Sequence, residues 1–465
     1  MLIPVCYILP MHRGILYAVG LTGAVAVACG PGAATAPIAS SRPNVIVIMV
    51  DTLRADHMST YGYERPTTPF IDQFAEGGVV FDWAWSQASC TFPSVNSLLT
   101  SRYPGIFITQ GSENMGLLEG VPTVQGILRD RGYTTVAVSA SPIVRATPTE
   151  YNPSGGFDLG FDTFVEGCMW LHGGCLTAKV FAELDRVEEP FLLYAHYMEP
   201  HSPYKPPKNY KRRFAGEYDG FDFIREGDPT PIGEMLYEDG PIFDLEENDI
   251  QHLVDLYDDE IRSFDNVFKR LIQRLREQGL LERTIVALVS DHGEEFLEHG
   301  HIKHCRGIWA NLSHVPMVLW IPGVAGGRRS DAAVENIDLV PTLLDYLGVD
   351  VAPFDFDGAS LRPMIDGNQP SDPFAFAYQG RYRAAADAHH HLILDGSEHS
   401  TTLFDVALDP LEQHDLSRPG NPAIGAIATA LNRWMAATGQ FVRFDEDLAA
   451  AQAREDQLRA LGYLE

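Results

Sequence analysis

Short runs of apolar, largely β-branched residues recur along this chain, and they restrict its fold more than any other feature. The first, NVIVIMV at Asn44–Val50, lacks the polar alternation of a strand that has one face in water. Such a strand is buried on both faces, as in a parallel sheet covered by helices. Similar runs follow at Thr134–Ser139, Phe191–Met198, Thr284–Ser290 and Val315–Pro322. Together they predict one mostly parallel sheet at the centre of the fold.

Helical patterns separate these runs. Between Asp249 and Gln278, apolar side chains return at spacings of three and four residues, and the pattern stops at Gly279. The segment Val334–Gly348 repeats this arrangement over a shorter length and also ends in a glycine. Strands that alternate with helices predict an α/β fold in which helices sandwich the sheet.

The pattern changes after about residue 370. Residues 371–465 contain shorter strand-like runs and one helical stretch at Ile424–Ala437, which predicts a small C-terminal α+β subdomain and a tail. Residues 42–370 then form the large domain, and residues 1–41 precede both. A chain of 465 residues is long enough for this arrangement.

The first 41 residues are predicted to be a signal peptide and a tether. The apolar run Ile15–Val27 is too short to span a bilayer comfortably, and small residues lead from it to Cys29. This arrangement resembles a bacterial lipoprotein cleavage box. It predicts export to the periplasm, or to the outer membrane and cell envelope, with a lipid anchor on Cys29. An ordinary cleaved signal peptide and an uncleaved anchor are the alternatives.

The formal net charge of −29 makes nucleic acid an unsuitable partner. An anionic substrate would require positive groups concentrated at its site. Export would permit disulfide bonds. Cys168 and Cys175, with a Gly-Gly pair between them, are the candidate local pair, and the sequence leaves open whether they are bonded. Cys90 and Cys305 are expected to be free and buried, as isolated cysteines usually are.

Ionisable side chains lie at the predicted carboxyl ends of three buried strands, where open parallel sheets form their sites. Asp51 follows the first run, Asp291 and His292 follow the fourth, and His196 and His201 lie near the end of the third. A buried carboxylate is costly unless it is capped, paired or bound to a metal. Asp51, Asp291 and His292 are therefore candidate ligands of a divalent ion. In the alternative interpretation, both aspartates are turn or N-cap residues.

Two candidate nucleophiles are adjacent in the stretch SCTFPSVNSLLT, the thiol of Cys90 and the hydroxyl of Thr91. Pro93 is suited to the first turn of a helix. The Thr91 hydroxyl would then lie at the positive end of that helix, where an alkoxide or a developing oxyanion is stabilised. Coordination to the ion held by Asp51 and Asp291 would lower the pKa of the hydroxyl further. Alternatively, Thr91 only caps the helix.

Five segments, in order, resemble the sulfatase family, which is part of the alkaline phosphatase superfamily. They read RPNVIVIMVDTLRADHMSTYGYERPTTPF at 42–70, HYMEPHSPY at 196–204, LVSDHGEEFLEHGHIKH at 288–304, NIDLVPTLLDYLG at 336–348 and LFDVALDPLEQHDLS at 403–417. The resemblance covers residue 42 to about residue 416. It implies a large alkaline-phosphatase-like domain and a metal-dependent ester hydrolase.

By position in these segments, the resemblance implies that Asp51, Asp291 and His292 hold one divalent ion together with Thr91. The ion is expected to be Ca²⁺ or Mn²⁺, with Zn²⁺ as the alternative. Thr52 stands where many members carry a further acidic ligand, which implies that one ligand is missing or is replaced by water.

Two histidines resemble substrate-contacting residues of the family. His201 takes the place of a histidine that contacts the charged group of the substrate and can protonate the leaving oxygen. His304 falls where the family has a lysine or a histidine in contact with the substrate. A second ion held by His201 and His304 is the less favoured alternative.

The nucleophile departs from the family pattern. Sulfatases use a cysteine or serine in Cys/Ser-x-Pro-x-Arg, which is converted to formylglycine. Counting back from Pro93, Thr91 takes the nucleophile position, Val95 replaces the arginine, and Cys90 lies one residue early. Cys90 is therefore interpreted as a small packing residue. A threonine combined with an Asp-His metal motif instead resembles the phosphodiesterases, phosphonate hydrolases and phosphoethanolamine or glycerophosphate transferases of the superfamily.

The sequence thus predicts an exported, metal-dependent hydrolase that cleaves phosphate or phosphonate esters through Thr91. The expected partner is an anionic ester substrate, either a small molecule or one linked to a glycan or a lipid. A true sulfuric ester hydrolase of the arylsulfatase type is the first alternative. A non-catalytic binding protein that retains the fold is the second.

Overall fold

A computed structural model describes residues 42–108, 116–169, 171–210, 213–220, 245–368, 373–398, 400–418 and 421–439. The predicted targeting segment with Cys29 lies outside this set, as do the residues at the predicted subdomain boundary and the chain from residue 440 onwards. Within the set, no helix combines the length and the apolar character that a membrane crossing requires.

An eight-stranded sheet forms the centre of the described fold. Its strands are β1 Asn44–Val50, β2 Val79–Trp85, β3 Thr134–Ser139, β4 Thr163–Glu166, β5 Phe191–Tyr197, β6 Thr284–Ser290, β9 His314–Trp320 and β10 Arg328–Glu335. A separate hairpin pairs β7 Glu295–Phe296 with β8 Ile302–Lys303. The spatial order of the large sheet is β10-β2-β9-β6-β1-β5-β3-β4. The predicted sheet is confirmed.

Strand β1 lies in the middle of the sheet and runs parallel to β5 on one side and to β6 on the other. Every residue of these three strands is buried, as their continuous apolar character predicts. Alternate side chains of β1 enter two different cores. Ile46 and Ile48 pack on one face of the sheet, and Val45 and Val47 pack on the other.

The direction of strand β9 differs from the prediction of a parallel strand. It pairs antiparallel with both of its neighbours, β2 and β6. A strand buried on both faces is apolar throughout whichever way it runs, so its composition does not reveal its direction. The connection from β6 to β9 contains the β7–β8 hairpin and the short helix Ala310–Ser313.

Helices cover both faces of the sheet. Their bounds are α1 Pro69–Ala75, α2 Thr91–Thr100, α3 Gly105–Ile108, α4 Val124–Arg129, α5 Gly173–Leu184, α6 Glu247–Glu277, α7 Ala310–Ser313, α8 Leu339–Tyr346, α9 Arg362–Ile365 and α10 Pro422–Thr438. Helices α1, α5 and α6 pack on one face of the sheet, and α2, α4 and α8 pack on the other. The predicted long helix corresponds to α6. Glu246 and Asp249 form a capping box at its N-terminus.

The C-terminal part forms its own four-stranded antiparallel sheet, as predicted for a small α+β subdomain. The strands are β11 Ala375–Gln379, β12 Tyr382–Ala386, β13 His390–Asp395 and β14 Ser400–Asp405, and they lie in chain order. Helix α10 packs on this sheet through Trp434, whose ring stacks on that of Phe376 at 5.4 Å. Tyr103, from the large domain, contacts the same tryptophan edge-on.

Candidate active site

The carboxyl ends of β1 and β6 place the candidate acidic ligands side by side. The two strands are parallel, and their last residues, Val50 and Ser290, are direct partners in the register. Asp51 and Asp291 therefore leave the sheet together. The Asp51 amide still donates to the carbonyl of Tyr197, at the end of β5, at 2.9 Å. The sheet thus brings together two acids that are far apart in the sequence.

Both carboxylates are buried, and each keeps one oxygen, Asp51 Oδ1 and Asp291 Oδ2, without a hydrogen-bond partner among the described residues. The other Asp291 oxygen accepts from the backbone amides of Thr52 at 3.2 Å and His292 at 3.0 Å. Burial raises the pKa of Asp51 well above its usual range, and the charge of Asp291 raises it further. Buried acids with unsatisfied oxygens are suited to binding a cation.

His196, on β5, completes this cluster. Its Nε2 lies 3.1 Å from Asp51 Oδ2, and the Tyr194 hydroxyl lies 2.8 Å from its Nδ1. Asp51, His196 and Asp291 each offer a ligand atom, and these atoms lie within 4.8 Å of one another. Burial lowers the pKa of His196 to about 4, so its ring is neutral at neutral pH. No sequence motif assigns a role to His196. The only sequence signal was its position near the end of a predicted buried strand. The parallel register that sets it beside Met49, two residues before Asp51, is visible only in the fold.

His292 directs its Nε2 atom into the same cluster. Its Nδ1 lies 2.9 Å from the carbonyl of Gly293, so Nδ1 carries the proton and the Nε2 lone pair is available. Nε2 lies 3.5 Å from Asp291 Oδ2 and 4.0 Å from Asp51 Oδ1. The tight turn needs a glycine, because a Cβ at Gly293 would lie 2.0 Å from the carbonyl oxygen of Asn311.

Thr91 is the first residue of α2 and is 2% exposed. Its Oγ1 lies 3.2 Å from His292 Nε2. Since that nitrogen carries the lone pair, the Thr91 hydroxyl donates this hydrogen bond. Cys90, not Thr91, occupies the N-cap position, so the interpretation of Thr91 as the capping residue is wrong.

His304 and His201 extend the site away from the acids. The ring centroid of His304 lies 4.4 Å from that of His292 and 5.2 Å from that of His201. Burial, and after it the adjacent His304, lowers the pKa of His201 to about 3. The pKa of His304 is also well below its usual range, mainly because of burial and secondly because of the nearby His292. Both rings are therefore neutral in the free protein at neutral pH, and a bound anionic ester would raise both pKa values.

Glu294 is a site residue to which the sequence analysis gave no role. Its Oε1 atom lies 2.7 Å from Nδ1 of His304, so this carboxylate orients the histidine. Burial raises the pKa of Glu294, and the neighbouring His201 and His292 act in the opposite direction. Its position after the Asp-His-Gly turn was the only sequence signal.

Thr52, at the position of the further acidic ligand, has a backbone φ of 57°. Its Oγ1 is buried and has no partner within the described part of the chain. The ligand atoms of Asp51, His196 and Asp291 lie within 4.8 Å of one another, and His292 Nε2 lies 3.5 Å from Asp291 Oδ2. Oxygen and imidazole donors of this kind suit a divalent cation, so the residues present fit the predicted ion.

The prediction that Cys90 and Cys305 are free is wrong. Cys90 and Cys305 form a disulfide, with 5.0 Å between their Cα atoms, so neither is a free packing residue. Their separation of 215 residues left no local signal of pairing. They meet because Cys90 precedes Thr91 and Cys305 follows a residue of the same site. Cys168 and Cys175, the candidate local pair, also form a disulfide.

Comparison with known families identifies the fold and the general activity. The sulfatase family profile matches residues 43–349, and the profile of the N-sulphoglucosamine sulphohydrolase C-terminal region matches residues 298–437. The chain belongs to the sulfatase family. Enzymes of this family bind a divalent metal ion, and Asp51, His196 and Asp291 form a possible site for it. The resemblance inferred from the five sequence segments is confirmed.

Relatives within the family span most of the chain. Choline-sulfatase of Rhizobium meliloti (strain 1021) is 24% identical over 481 residues, which cover 89% of this chain and 90% of that protein. Arylsulfatase A of Homo sapiens is 25% identical over 504 residues, with 88% and 89% covered. Both are sulfatases by name, and this chain is likewise an ester hydrolase of the family.

Solved structures with the same fold include two phosphonate monoester hydrolases. That of Agrobacterium radiobacter aligns with a TM-score of 0.67 at 18% identity, over 86% of this chain and 96% of its own. That of Silicibacter pomeroyi aligns with a TM-score of 0.67 at 20% identity, over 85% and 94%. At these identities the likeness establishes the fold.

Proposed function

We propose that this sulfatase-family hydrolase cleaves phosphate or phosphonate esters through the hydroxyl of Thr91. The observation that carries the proposal is the contact between Thr91 Oγ1 and His292 Nε2, 3.2 Å, beside the two buried aspartates. An alcohol at a helix N-terminus, next to groups that fit a cation, is suited to attack an electrophilic phosphorus.

The chemistry around Thr91 favours phosphorus over sulfur. Formylglycine arises from a cysteine or a serine, and neither occupies position 91. Cys90, the adjacent thiol, is bonded to Cys305 and is not free for conversion. Val95 also stands where the conversion motif has arginine. A phosphoryl-threonine needs no second hydroxyl for turnover, because water or an acceptor alcohol cleaves it at phosphorus.

Asp51, Asp291 and His292 would hold the divalent ion, with Thr91 as a further ligand. Ca²⁺ or Mn²⁺ suits the carboxylate oxygens, and Zn²⁺ is the alternative. Such an ion, when bound, supplies charge that lowers the pKa of the hydroxyl and polarises the ester oxygen. His196, whose Nε2 lies 3.1 Å from Asp51 Oδ2, is a further candidate ligand of the same ion.

The remaining histidines act on the transferring group. The Thr91 hydroxyl loses its proton to solvent as Oγ1 forms a bond to phosphorus, the bond from phosphorus to the leaving oxygen breaks, and that oxygen takes up one proton. His304 and His201 are placed to supply the proton, since the charge of a bound ester raises their pKa values. Water then attacks the phosphoryl-threonine at phosphorus, which releases the phosphorus acid and restores the Thr91 hydroxyl.

The two disulfides support the proposed export, because such bonds persist in oxidising compartments. We place the protein in the periplasm or the cell envelope, with residues 1–41 as targeting segment and tether and a lipid on Cys29. Residues 42–370 and 371–465 are the proposed catalytic domain and C-terminal subdomain. Replacement of Cys29 by alanine should move the protein from the membrane fraction to the soluble fraction.

A panel of p-nitrophenyl esters tests the proposed activity. Phosphate monoester, bis-phosphate diester, phosphonate and sulfate are each offered with Ca²⁺, Mn²⁺ and Zn²⁺. We expect turnover of a phosphorus ester, and loss of at least about 10³-fold in kcat for Thr91→Ala. Thr91→Ser, which keeps the hydroxyl, is the matched control and should retain most of the activity. Full activity of Thr91→Ala would contradict the proposal.

Sulfate ester hydrolysis is the second candidate, because the named relatives are sulfatases. Turnover of the sulfate ester alone would favour it. No turnover of any ester by a metal-loaded sample would favour the non-catalytic alternative.

A further inference from the structure

We propose that the Cys90–Cys305 disulfide is a positioning element of the active site, which holds the nucleophile Thr91 in register with His304. The inference rests on the proposed function, since it assumes the roles given to these two residues. Each cysteine is the immediate chain neighbour of one of them. The disulfide therefore joins the backbone of the attacking group to the backbone of the group that contacts the substrate.

On the nucleophile side, the bond fixes the start of α2. Cys90 is the N-cap residue, and its carbonyl accepts from the Ser94 amide at 3.1 Å, the first bond of the helix. A shift of Cys90 would therefore move Thr91 relative to His292. The Ser89 carbonyl, one residue earlier, accepts from the Cys305 amide at 3.0 Å.

On the histidine side, the chain has little regular structure to support it. Strand β8 contains only Ile302–Lys303, and the described chain has no helix between Lys303 and Ala310. Lys303 and Cys305, on either side of His304, have φ values of 74° and 76°, in the left-handed region that non-glycine residues rarely adopt. Such a conformation persists only where the surroundings impose it. The disulfide is the covalent part of those surroundings.

Gln379 extends this connection to the C-terminal subdomain. Its Nε2, at the end of β11, donates to the Cys305 carbonyl at 2.9 Å and lies 3.3 Å from Cys90 Sγ. Ser89 adds a further link, since its hydroxyl donates to the Gly307 carbonyl at 2.6 Å. The disulfide thus lies at the centre of a polar network that joins three segments of the chain.

The test compares the two disulfides of the same chain. Wild type, Cys90→Ser/Cys305→Ser and the matched control Cys168→Ser/Cys175→Ser are assayed on the phosphorus ester that the wild type hydrolyses best. Wild type is also treated with dithiothreitol, which transfers two electrons and two protons to each disulfide and becomes a cyclic disulfide itself. Alkylation and peptide mass spectrometry identify which bond has opened, and circular dichroism confirms that the protein is folded at the assay temperature.

We expect opening of Cys90–Cys305 to lower kcat by about 10- to 100-fold, because an error of about 1 Å between reacting groups has that effect. Most of the rise in Tm caused by added Ca²⁺ or Mn²⁺ should persist, since Asp51, Asp291 and His292 stay in place and only Thr91 among the proposed ligands moves. The control variant should keep kcat within about twofold. Removal of dithiothreitol and reoxidation should restore kcat.

A folded Cys90→Ser/Cys305→Ser variant with kcat within about twofold of wild type would overturn the inference. If that variant does not fold, the test uses wild type in which dithiothreitol has opened Cys90–Cys305. A kcat within about twofold of the untreated enzyme would then overturn the inference. Failure of the proposed function has a different signature, in which untreated wild type hydrolyses no ester or Thr91→Ala remains active. Either result would overturn both the proposed function and this inference.

Discussion

At the scale of single residues, buried negative charge dominates the site. Asp51 and Asp291 follow adjacent strands and each retains an unsatisfied oxygen within the described part of the fold. Two such charges repel each other strongly away from water. We therefore expect the site to destabilise the folded protein without a cation and to stabilise it with one.

Replacement of Asp291 by asparagine tests this balance. In a chelator, Asp291→Asn should unfold at a higher temperature than wild type, because one of two buried like charges is removed. Ca²⁺ or Mn²⁺ at about 100 times its Kd should stabilise wild type by about 2.7 kcal/mol and the variant much less. Differential scanning calorimetry measures both effects. Equal metal-induced shifts in Tm would contradict the assignment of Asp291 as a ligand.

Glu199 gives a prediction for pH. It is 5% exposed, and one of its oxygens accepts from the Gly173 amide. Burial raises the pKa of Glu199 from 4.5 to about 7. A raised folded-state pKa means that its contribution to stability is fully present below pH 4.5 and is lost as pH rises to about 7.

The variant Glu199→Gln stays neutral and should escape this loss. Relative to wild type, it should gain up to about 3 kcal/mol in free energy of unfolding between pH 5 and pH 8. Urea denaturation at the two pH values measures the difference. A difference between variant and wild type that is the same at both pH values would contradict the assigned pKa.

At the scale of elements, helix α6 supports the strand that carries His196. Phe264, which is fully buried on α6, contacts the Tyr197 ring edge-on at 5.4 Å. Phe264→Ala should lower the free energy of unfolding by about 3–5 kcal/mol. Gln273→Ala, at an exposed position of the same helix, should change it by less than about 0.5 kcal/mol. Equal effects in denaturant titrations would contradict the packing described for α6.

The elements also show what a sequence can and cannot predict. The bounds of Asn44–Val50 and Thr284–Ser290 follow from the sequence, because burial on both faces leaves a continuous apolar run. The direction of β9 does not follow from the sequence, because a strand is equally buried whether its neighbours run parallel or antiparallel to it. Asp51 and Asp291 could be recognised because each follows such a run. His196 lies inside a run, and its contact with Asp51 depends on the register between strands, which no single segment contains.

At the scale of the whole molecule, the C-terminal subdomain contacts the loop that leads from the site. Glu412 is buried, with Oε1 at 2.6 Å from His391 Nδ1 and Oε2 accepting from the Ala310 amide at 2.7 Å. Glu412→Ala leaves both partners buried without it, and should destabilise the protein by about 3 kcal/mol. Thermal unfolding measures this loss. Glu398→Ala, at an exposed position, is the control, and an equally small shift in both variants would contradict the link.

Contacts between distant segments are the part of the structure that the sequence predicts least. The Cys90–Cys305 bond and the Glu412 contacts join segments that are distant along the chain, and their residue types have many other uses. Only the tertiary structure brings these partners into contact. The family resemblance gave the outline of the site, and the fold added Glu294, His196 and the disulfide around it.

If Thr91 is the nucleophile, it becomes covalently phosphorylated during turnover. The most direct test is a rapid acid quench of the metal-loaded enzyme with a phosphorus ester, followed by mass spectrometry of the peptide that contains residues 86–102. We expect a phosphoryl or phosphonyl group on Thr91 that disappears when substrate is exhausted. Turnover with Thr91 unmodified throughout, or with the group on another residue, would contradict the assignment of Thr91 as the nucleophile.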